Sequence, residues 1–144
     1  MNKIRNAVNE MTAQYGRAMP KDICDNMGII ILSLYLPERV NGFTIKREGI
    51  WFIVLNDRLN DDERRFTTAH ELGHIFLHKG TNSINLSCNT DLCVSKYERE
   101  ADCFAVMLLL KAVEDTCADY ESMTVKQLSQ LTHIPESKIE QLFS

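Results

Sequence analysis

In the run Thr67-Thr68-Ala69-His70-Glu71-Leu72-Gly73-His74-Ile75-Phe76-Leu77-His78, two histidines stand four positions apart in an apparent amphipathic helix. At about 3.6 residues per turn, positions i and i+4 share one helix face, so His70 and His74 can present their imidazoles to a single ion. Zinc held by two histidines and a third protein ligand keeps one coordination position open for water. A carboxylate beside it, here Glu71, can take that water's proton. This stretch therefore makes the chain a candidate hydrolase and requires a third ligand from elsewhere.

The ends of that helix are written in the residues. Asn60 can cap it with Glu63 at the third helical position, a capping box, while Asp61 and Asp62 suit the positive end and Lys79-Gly80 close the other. The span is then about Asp61 to Lys79, with both histidines well inside. Gly73 costs a helix ~1 kcal/mol against alanine, so a close-packing reason is expected there.

Downstream, Tyr97-Glu98-Arg99-Glu100-Ala101-Asp102-Cys103-Phe104-Ala105 offers carboxylates. Glu98 and Asp102 are spaced i, i+4 on a second expected helix. Glu98 can bind the metal while Asp102, one turn on, accepts the other imidazole N–H of a ligating histidine. Glu100 lies roughly 200° round the helix from Glu98 and is read as a solvated or packing carboxylate.

The motif His70-Glu71-Leu72-Gly73-His74 is preceded by Arg65-Phe66-Thr67-Thr68-Ala69 and followed by Glu98-Arg99-Glu100-Ala101-Asp102-Cys103-Phe104-Ala105 and Leu108-Leu109. In these residues the chain resembles the ImmA/IrrE-type metallopeptidases. The resemblance extends loosely from Gly28-Ile29 to Leu108-Leu109 and implies a small intracellular zincin-like protein, of a kind often encoded beside phage or mobile-element repressors. It also implies proteolysis of a helix-turn-helix regulator. Members usually carry proline soon after the Leu-Leu pair, where this chain has Leu110-Lys111, a departure that bears on the local helix end and not on the chemistry.

Size and composition set the rest. With 144 residues and 44% hydrophobic content, the chain suffices for one domain spanning 1–144. No run of 18 or more apolar residues occurs and the N-terminus lacks an apolar signal core, so a cytoplasmic protein without a membrane span is expected. Five cysteines without framework spacing fit reduced thiols. A net charge of -4 and a pI near 5.5 speak against binding a phosphate backbone and favour a protein partner.

Ile4, Ala7, Val8, Met11 and Tyr15 recur at helical spacing before Gly16, and a second short helix is expected from Pro20 to Gly28 with Ile23, Cys24 and Met27 inward. Ile29 to Leu36 is apolar on both alternating sets and reads as a strand covered on both sides. Phe43-Thr44-Ile45-Lys46 and Ile50 to Leu55 read as an antiparallel hairpin around Arg47-Glu48-Gly49. Together these segments give a small three-stranded sheet, in which Trp51 to Leu55, nearest His70 in sequence, is the candidate edge for holding an extended substrate.

Gly80 to Lys96 reads as a long polar loop bordering the cleft or running over the surface; its Cys88 and Cys93 lack the companions of a second metal site. His78 lies about 12 Å of helix rise beyond His70, too far to share one ion with both histidines, and is assigned to the helix C-terminal dipole. A helix from Tyr97 to about Lys111 should bury Ala101, Phe104, Ala105, Leu108 and Leu109, with Cys103 and Cys117 as core residues. Glu114, Asp115, Asp119 and Glu121 form an acidic connector. Residues 124–143 form a small C-terminal helical pair, capped at Thr124, with too little basic surface for DNA binding and expected to pack on the core.

The expected fold is α+β: N-terminal helices, a small three-stranded sheet, and a zincin-like helical half carrying the HExxH motif. The expected function is zinc-dependent endopeptidase with one Zn2+ per chain, held by His70, His74 and Glu98, with Glu71 as general base and Asp102 orienting a histidine. A protein substrate, a helix-turn-helix repressor, is the expected partner. The alternative is a metal-stabilised antirepressor that sequesters its target without cutting it. No oxyanion donor is assigned; Tyr97, Tyr120 and His133 are candidates by residue type only.

Overall fold

The computed structural model describes residues 2–16, 18–78, 91–113 and 122–143, with side chains from 96 onward in the third span and to 142 in the last. In order the elements are α1 (Asn2–Tyr15), α2 (Pro20–Met27), β1 (Ile30–Leu34), β2 (Gly42–Arg47), β3 (Ile50–Asn56), α3 (Asp61–Leu77), α4 (Asp91–Val113), α5 (Val125–Thr132) and α6 (Glu136–Phe143). The fold is α+β. Expectations placed on Lys79-Gly80, the segment around Cys88, the Cys93 side chain, and Glu114, Asp115, Cys117, Asp119, Tyr120 and Glu121 lie outside the described residues.

Local chemistry sets the helix ends. Asn60 accepts from the Glu63 N–H at 2.8 Å while Glu63 accepts from the Asn60 N–H at 2.9 Å, so two orphan donors of α3 are satisfied reciprocally. Thr124 and Gln127 repeat the arrangement on α5. α1 buries Ile4, Val8 and Met11; α2 starts at Pro20, buries Ile23 and Cys24, and ends at Gly28. Burial, helped by the charge of Asp25, pushes the Cys24 thiol up to about 12, as suits an inert core residue.

The strands run in the order β1-β3-β2, with β1 parallel to β3 and β2 antiparallel to it. The hairpin turns through Glu48 (φ 51°) and Gly49 (φ 80°), both in the left-handed region that a two-residue turn between twisted strands demands. Two expectations are corrected here. β1 is not covered on both sides: it is an edge strand, with Ile30, Leu32 and Leu34 all exposed. Nor is Trp51 to Leu55 an edge: β3 is the central strand, hydrogen-bonded on both sides, and Lys46 lies over the Trp51 ring at 5.5 Å. Strand order arises from non-local pairing, and an apolar run looks the same whether its second face meets protein or water.

β2 is pressed closely onto its neighbours. A side chain at Gly42 would put its first carbon 2.6 Å from the Val54 carbonyl oxygen and 3.1 Å from Thr67 of α3, so only glycine lets this edge strand lie against the metal-motif helix. Buried Asn56 holds the connection before it: its side-chain amide is directed at the carbonyls of Leu36 (3.2 Å), Pro37 (3.1 Å) and Val40 (2.9 Å).

α4 begins at Asp91, six residues before the start expected at Tyr97, and ends at Val113, past the expected Lys111. Its first turns follow a polar stretch and are too short to show a helical period of their own, which concealed them. Its middle buries Ala101, Phe104, Ala105, Leu108 and Leu109 against α1, α3 and the α5–α6 pair. α3 meets it at Gly73, where an added methyl carbon would lie 3.1 to 3.2 Å from Phe104 and the Ala101 backbone. This is the close packing that the glycine anticipates. Gly73→Ala gains ~1 kcal/mol of helix propensity but overpacks a contact that costs about 1–3 kcal/mol to relieve, so a net loss near 1 kcal/mol is expected. A thermal midpoint equal to or above wild type would show that the contact gives way freely. No helix among the described residues is long and apolar enough to cross a membrane.

Candidate metal centre

α3 turns His70, Glu71 and His74 toward a cleft of about 770 Å³, which Glu98 and Asp102 of α4 enter from the opposite side. His70, Glu71 and His74 offer ligand atoms within 4.8 Å of one another. Glu98 closes on the histidines more tightly still: its carboxylate oxygens lie 2.9 Å from His70 Nε2 and 3.0 Å from His74 Nε2, and the two Nε2 atoms are 3.2 Å apart. Donors about 2.0–2.1 Å from a tetrahedral zinc ion would stand ~3.3 Å apart, so this triangle is close to the size such an ion needs. Among the described carboxylates, Glu98 is the one placed within 3.0 Å of both Nε2 atoms.

Glu71 differs in kind. It is 4% exposed, and its Oε2 is buried without a hydrogen-bond partner among the described residues. Burial raises its pKa, with the His70 and His74 charges opposing and Glu98 adding to the rise. An unpaired buried carboxylate oxygen is costly, and its position against two imidazoles fits a proton-handling group better than a structural one.

The far side of His70 is fixed by two residues. Its Nδ1 donates to Asp102 Oδ1 at 2.7 Å, and Lys138 of α6 donates to Asp102 Oδ2 at 2.6 Å. Burial opposes ionisation of Asp102, but the bonds from His70 and Lys138 win and lower its pKa. The C-terminal helical pair thus contributes to the centre, with His133 and Pro135 also lining the cleft. Sequence reasoning missed Lys138, counting it only as sparse basic surface; its sole signal was an isolated lysine on a helix expected to pack on the core. His133 caps α5 in the left-handed conformation (φ 61°) at the rim, 3.8 Å from Asp62.

The helix-dipole assignment of His78 requires correction. It does cap α3, but it is 5% exposed, and burial, the first cause, holds its pKa below the ordinary value together with the His74 and Lys3 charges and against Glu100. A neutral buried imidazole interacts little with a helix dipole. Glu100, expected to be a solvated or a packing carboxylate, is the latter: it is 19% exposed and its Oε1 lies 3.3 Å from His78 Nε2.

Burial alone would lower the pKa of His70, yet the bonds to Asp102 and Glu98 and the charges of Glu71 and Glu98 push it up to about 10. In metal-free protein this pairing stabilises the fold fully below pH 6.5 and loses its contribution as pH rises through about 10. A metal ion must displace the His70 proton, so uptake near neutral pH should release it, the release fading as pH passes about 10. Calorimetry in buffers of different ionisation enthalpy measures this directly; no proton release near neutrality would contradict the pairing.

The α+β fold, with HExxH on α3 and carboxylates arriving from α4, sets out a metallopeptidase-like site. The chain belongs to the Peptidase M78 family, the IrrE N-terminal-like domain, whose family model matches residues 24–138. It is 36% identical over 107 residues to the uncharacterized immunity region protein 2 of Bacillus phage phi105, covering 74% of this chain and 68% of that one. It is 28% identical over 136 residues to the metallopeptidase ImmA of Bacillus subtilis (strain 168), covering 92% and 79% respectively. No solved structure matches the chain at a comparable level of significance.

Proposed function

We propose that the protein is a zinc-dependent endopeptidase that cleaves one protein partner, a helix-turn-helix repressor of a phage-type immunity system. The observation that carries the chemistry is the convergence of Glu98 on both Nε2 atoms beside the unpaired, buried Oε2 of Glu71. The immunity-region and metallopeptidase relatives support a protein target in a repressor circuit.

In this reading His70, His74 and Glu98 hold the ion, with Asp102 fixing His70. Zinc, when bound, supplies a Lewis acid that polarises the scissile carbonyl and lowers the pKa of water. Glu71 Oε2 receives the proton of the attacking water and delivers it to the leaving amine. Its raised pKa brings it closer to neutrality, where a carboxylate can both accept and return a proton. The edge that borders the cleft is β2, through Gly42 and Phe43, and its outer side, which carries no further strand among the described residues, is where an extended segment of the partner adds as a strand.

The test is co-incubation of zinc-loaded protein with the repressor-type protein encoded beside it, followed by mass analysis. Discrete fragments with one cut site are expected. Inactivation of the repressor with its mass unchanged would replace cleavage by sequestration, the antirepressor alternative. Failure to cut a generic protein decides nothing, because a cleft selecting one segment of one partner leaves bulk substrates intact.

A further inference from the structure

Among the described residues only one of the two histidines has an orienting carboxylate. His70 is fixed through Nδ1 by Asp102, whereas the Nδ1 of His74 meets none of the described carboxylates; it lies 3.1 Å from Nδ1 of His78, one turn on along α3. His78 Nε2 in turn lies 3.3 Å from Glu100 Oε1. The His78 side chain is 2% exposed, and its ring lies 4.4 Å from that of Tyr97, so its orientation is set by packing. Beyond it, Glu100 is 19% exposed and has Lys3 of α1 at 3.9 Å, an exposed and weak contact.

Proton bookkeeping leaves one arrangement of this chain. If His74 gives Nε2 to a metal, its single ring proton is on Nδ1, and that N–H must donate. His78 Nδ1 must then be the bare acceptor, which puts the His78 proton on Nε2, where it donates to the Glu100 carboxylate. Each imidazole nitrogen is satisfied and each proton is used once. Reversing the sense would leave metal-bound His74 with no ring proton at all, an imidazolate.

The geometry points to His78 as a positioning residue, anchored by Glu100, that holds His74 in the Nδ1–H tautomer and aims its Nε2 at the metal. The inference rests on the metal reading proposed above. It gives Asp102 and Glu100 of α4 parallel tasks: Asp102 serves His70 directly, and Glu100 serves His74 through an intervening imidazole. Glu98 faces the cleft between them.

The experiment compares zinc affinity in wild type, His78→Asn and His78→Phe, using zinc alone as the probe, with ¹⁵N spectra of the histidine rings. Asparagine can place its carbonyl oxygen near the position of the imidazole Nδ1 and so keep an acceptor; phenylalanine keeps the ring and removes it. His78→Phe should bind zinc about 10- to 100-fold more weakly, the usual cost of losing a partner behind a ligand, while His78→Asn stays within a few fold of wild type. The wild-type spectrum should show zinc-loaded His74 protonated at Nδ1. Equal affinity in all three proteins would overturn the inference, as would equal loss in both variants, since packing rather than the acceptor would then be at work. Circular dichroism of the metal-free variants identifies loss by misfolding, and in that case the wild-type ¹⁵N spectrum decides alone: zinc-loaded protein with His78 protonated at Nε2 and bare at Nδ1 supports the inference, and His78 protonated at Nδ1 overturns it. Wild type that takes up no zinc would fail the underlying metal reading, a result distinct from zinc-binding wild type with indifferent variants.

Discussion

Glu71→Gln will give a folded protein that holds its metal and its partner but no longer cuts, with turnover reduced about 10²- to 10⁴-fold, the usual contribution of a positioned general base. Glutamine keeps the size of the side chain and a carbonyl oxygen where Oε2 lies, but its amide cannot take a proton from water. Glu71 is not needed to complete the ligand triangle, because Glu98 already reaches both Nε2 atoms at 2.9 and 3.0 Å. Metal content should therefore be that of wild type. Stability should hold or rise, since the substitution removes a buried carboxylate whose Oε2 has no partner among the described residues. Full activity in the variant would remove Glu71 from the chemistry; loss of metal with activity would make it a ligand instead.

Glu98→Ala is expected to weaken zinc binding roughly a hundredfold to a thousandfold, about 3–4 kcal/mol of the 10–16 that structural sites provide with a full ligand set. Glu100→Ala should cost less, because it reaches the histidines only through His78. Two carboxylates two positions apart thus provide an internal control, since both variants remove one negative charge from the same helix. His74→Ala should match or exceed the loss in Glu98→Ala. Equilibrium titration against a competing chelator measures all three. If Glu100→Ala proved the more damaging, α4 would be turned relative to the arrangement described above.

How much of this was legible in the sequence depended on how local the signal was. The HExxH spacing, the Asn60–Glu63 cap, Pro20, Gly28 and the Glu98–Asp102 pair are patterns within one or two helical turns, and each appears in the structure at its expected place. Gly73 was readable for the same reason, as a helix position that carries a cost without a local gain. The strand order was not: β1 lies beside β3 with β2 outside, a pairing that spans some twenty residues, and apolar alternation cannot tell an edge from a centre. Lys138 reaches Asp102 across thirty-six positions, with nothing in its neighbours to announce it. His78 is the instructive case. Its spacing of four from His74 was visible, but it was weighed as a rival ligand and then as a partner of the helix dipole, when the requirement of His74 was a partner for its other nitrogen.

The most direct measurement of the central claim is a crystal structure of zinc-loaded protein with anomalous scattering recorded across the zinc edge. One ion per chain is predicted, about 2.0–2.2 Å from His70 Nε2, His74 Nε2 and a Glu98 oxygen, with Glu71 close by but not ligating. An ion bound elsewhere, a zinc-soaked crystal with no anomalous peak between the two histidines, or Glu71 in the position assigned to Glu98 would contradict the account.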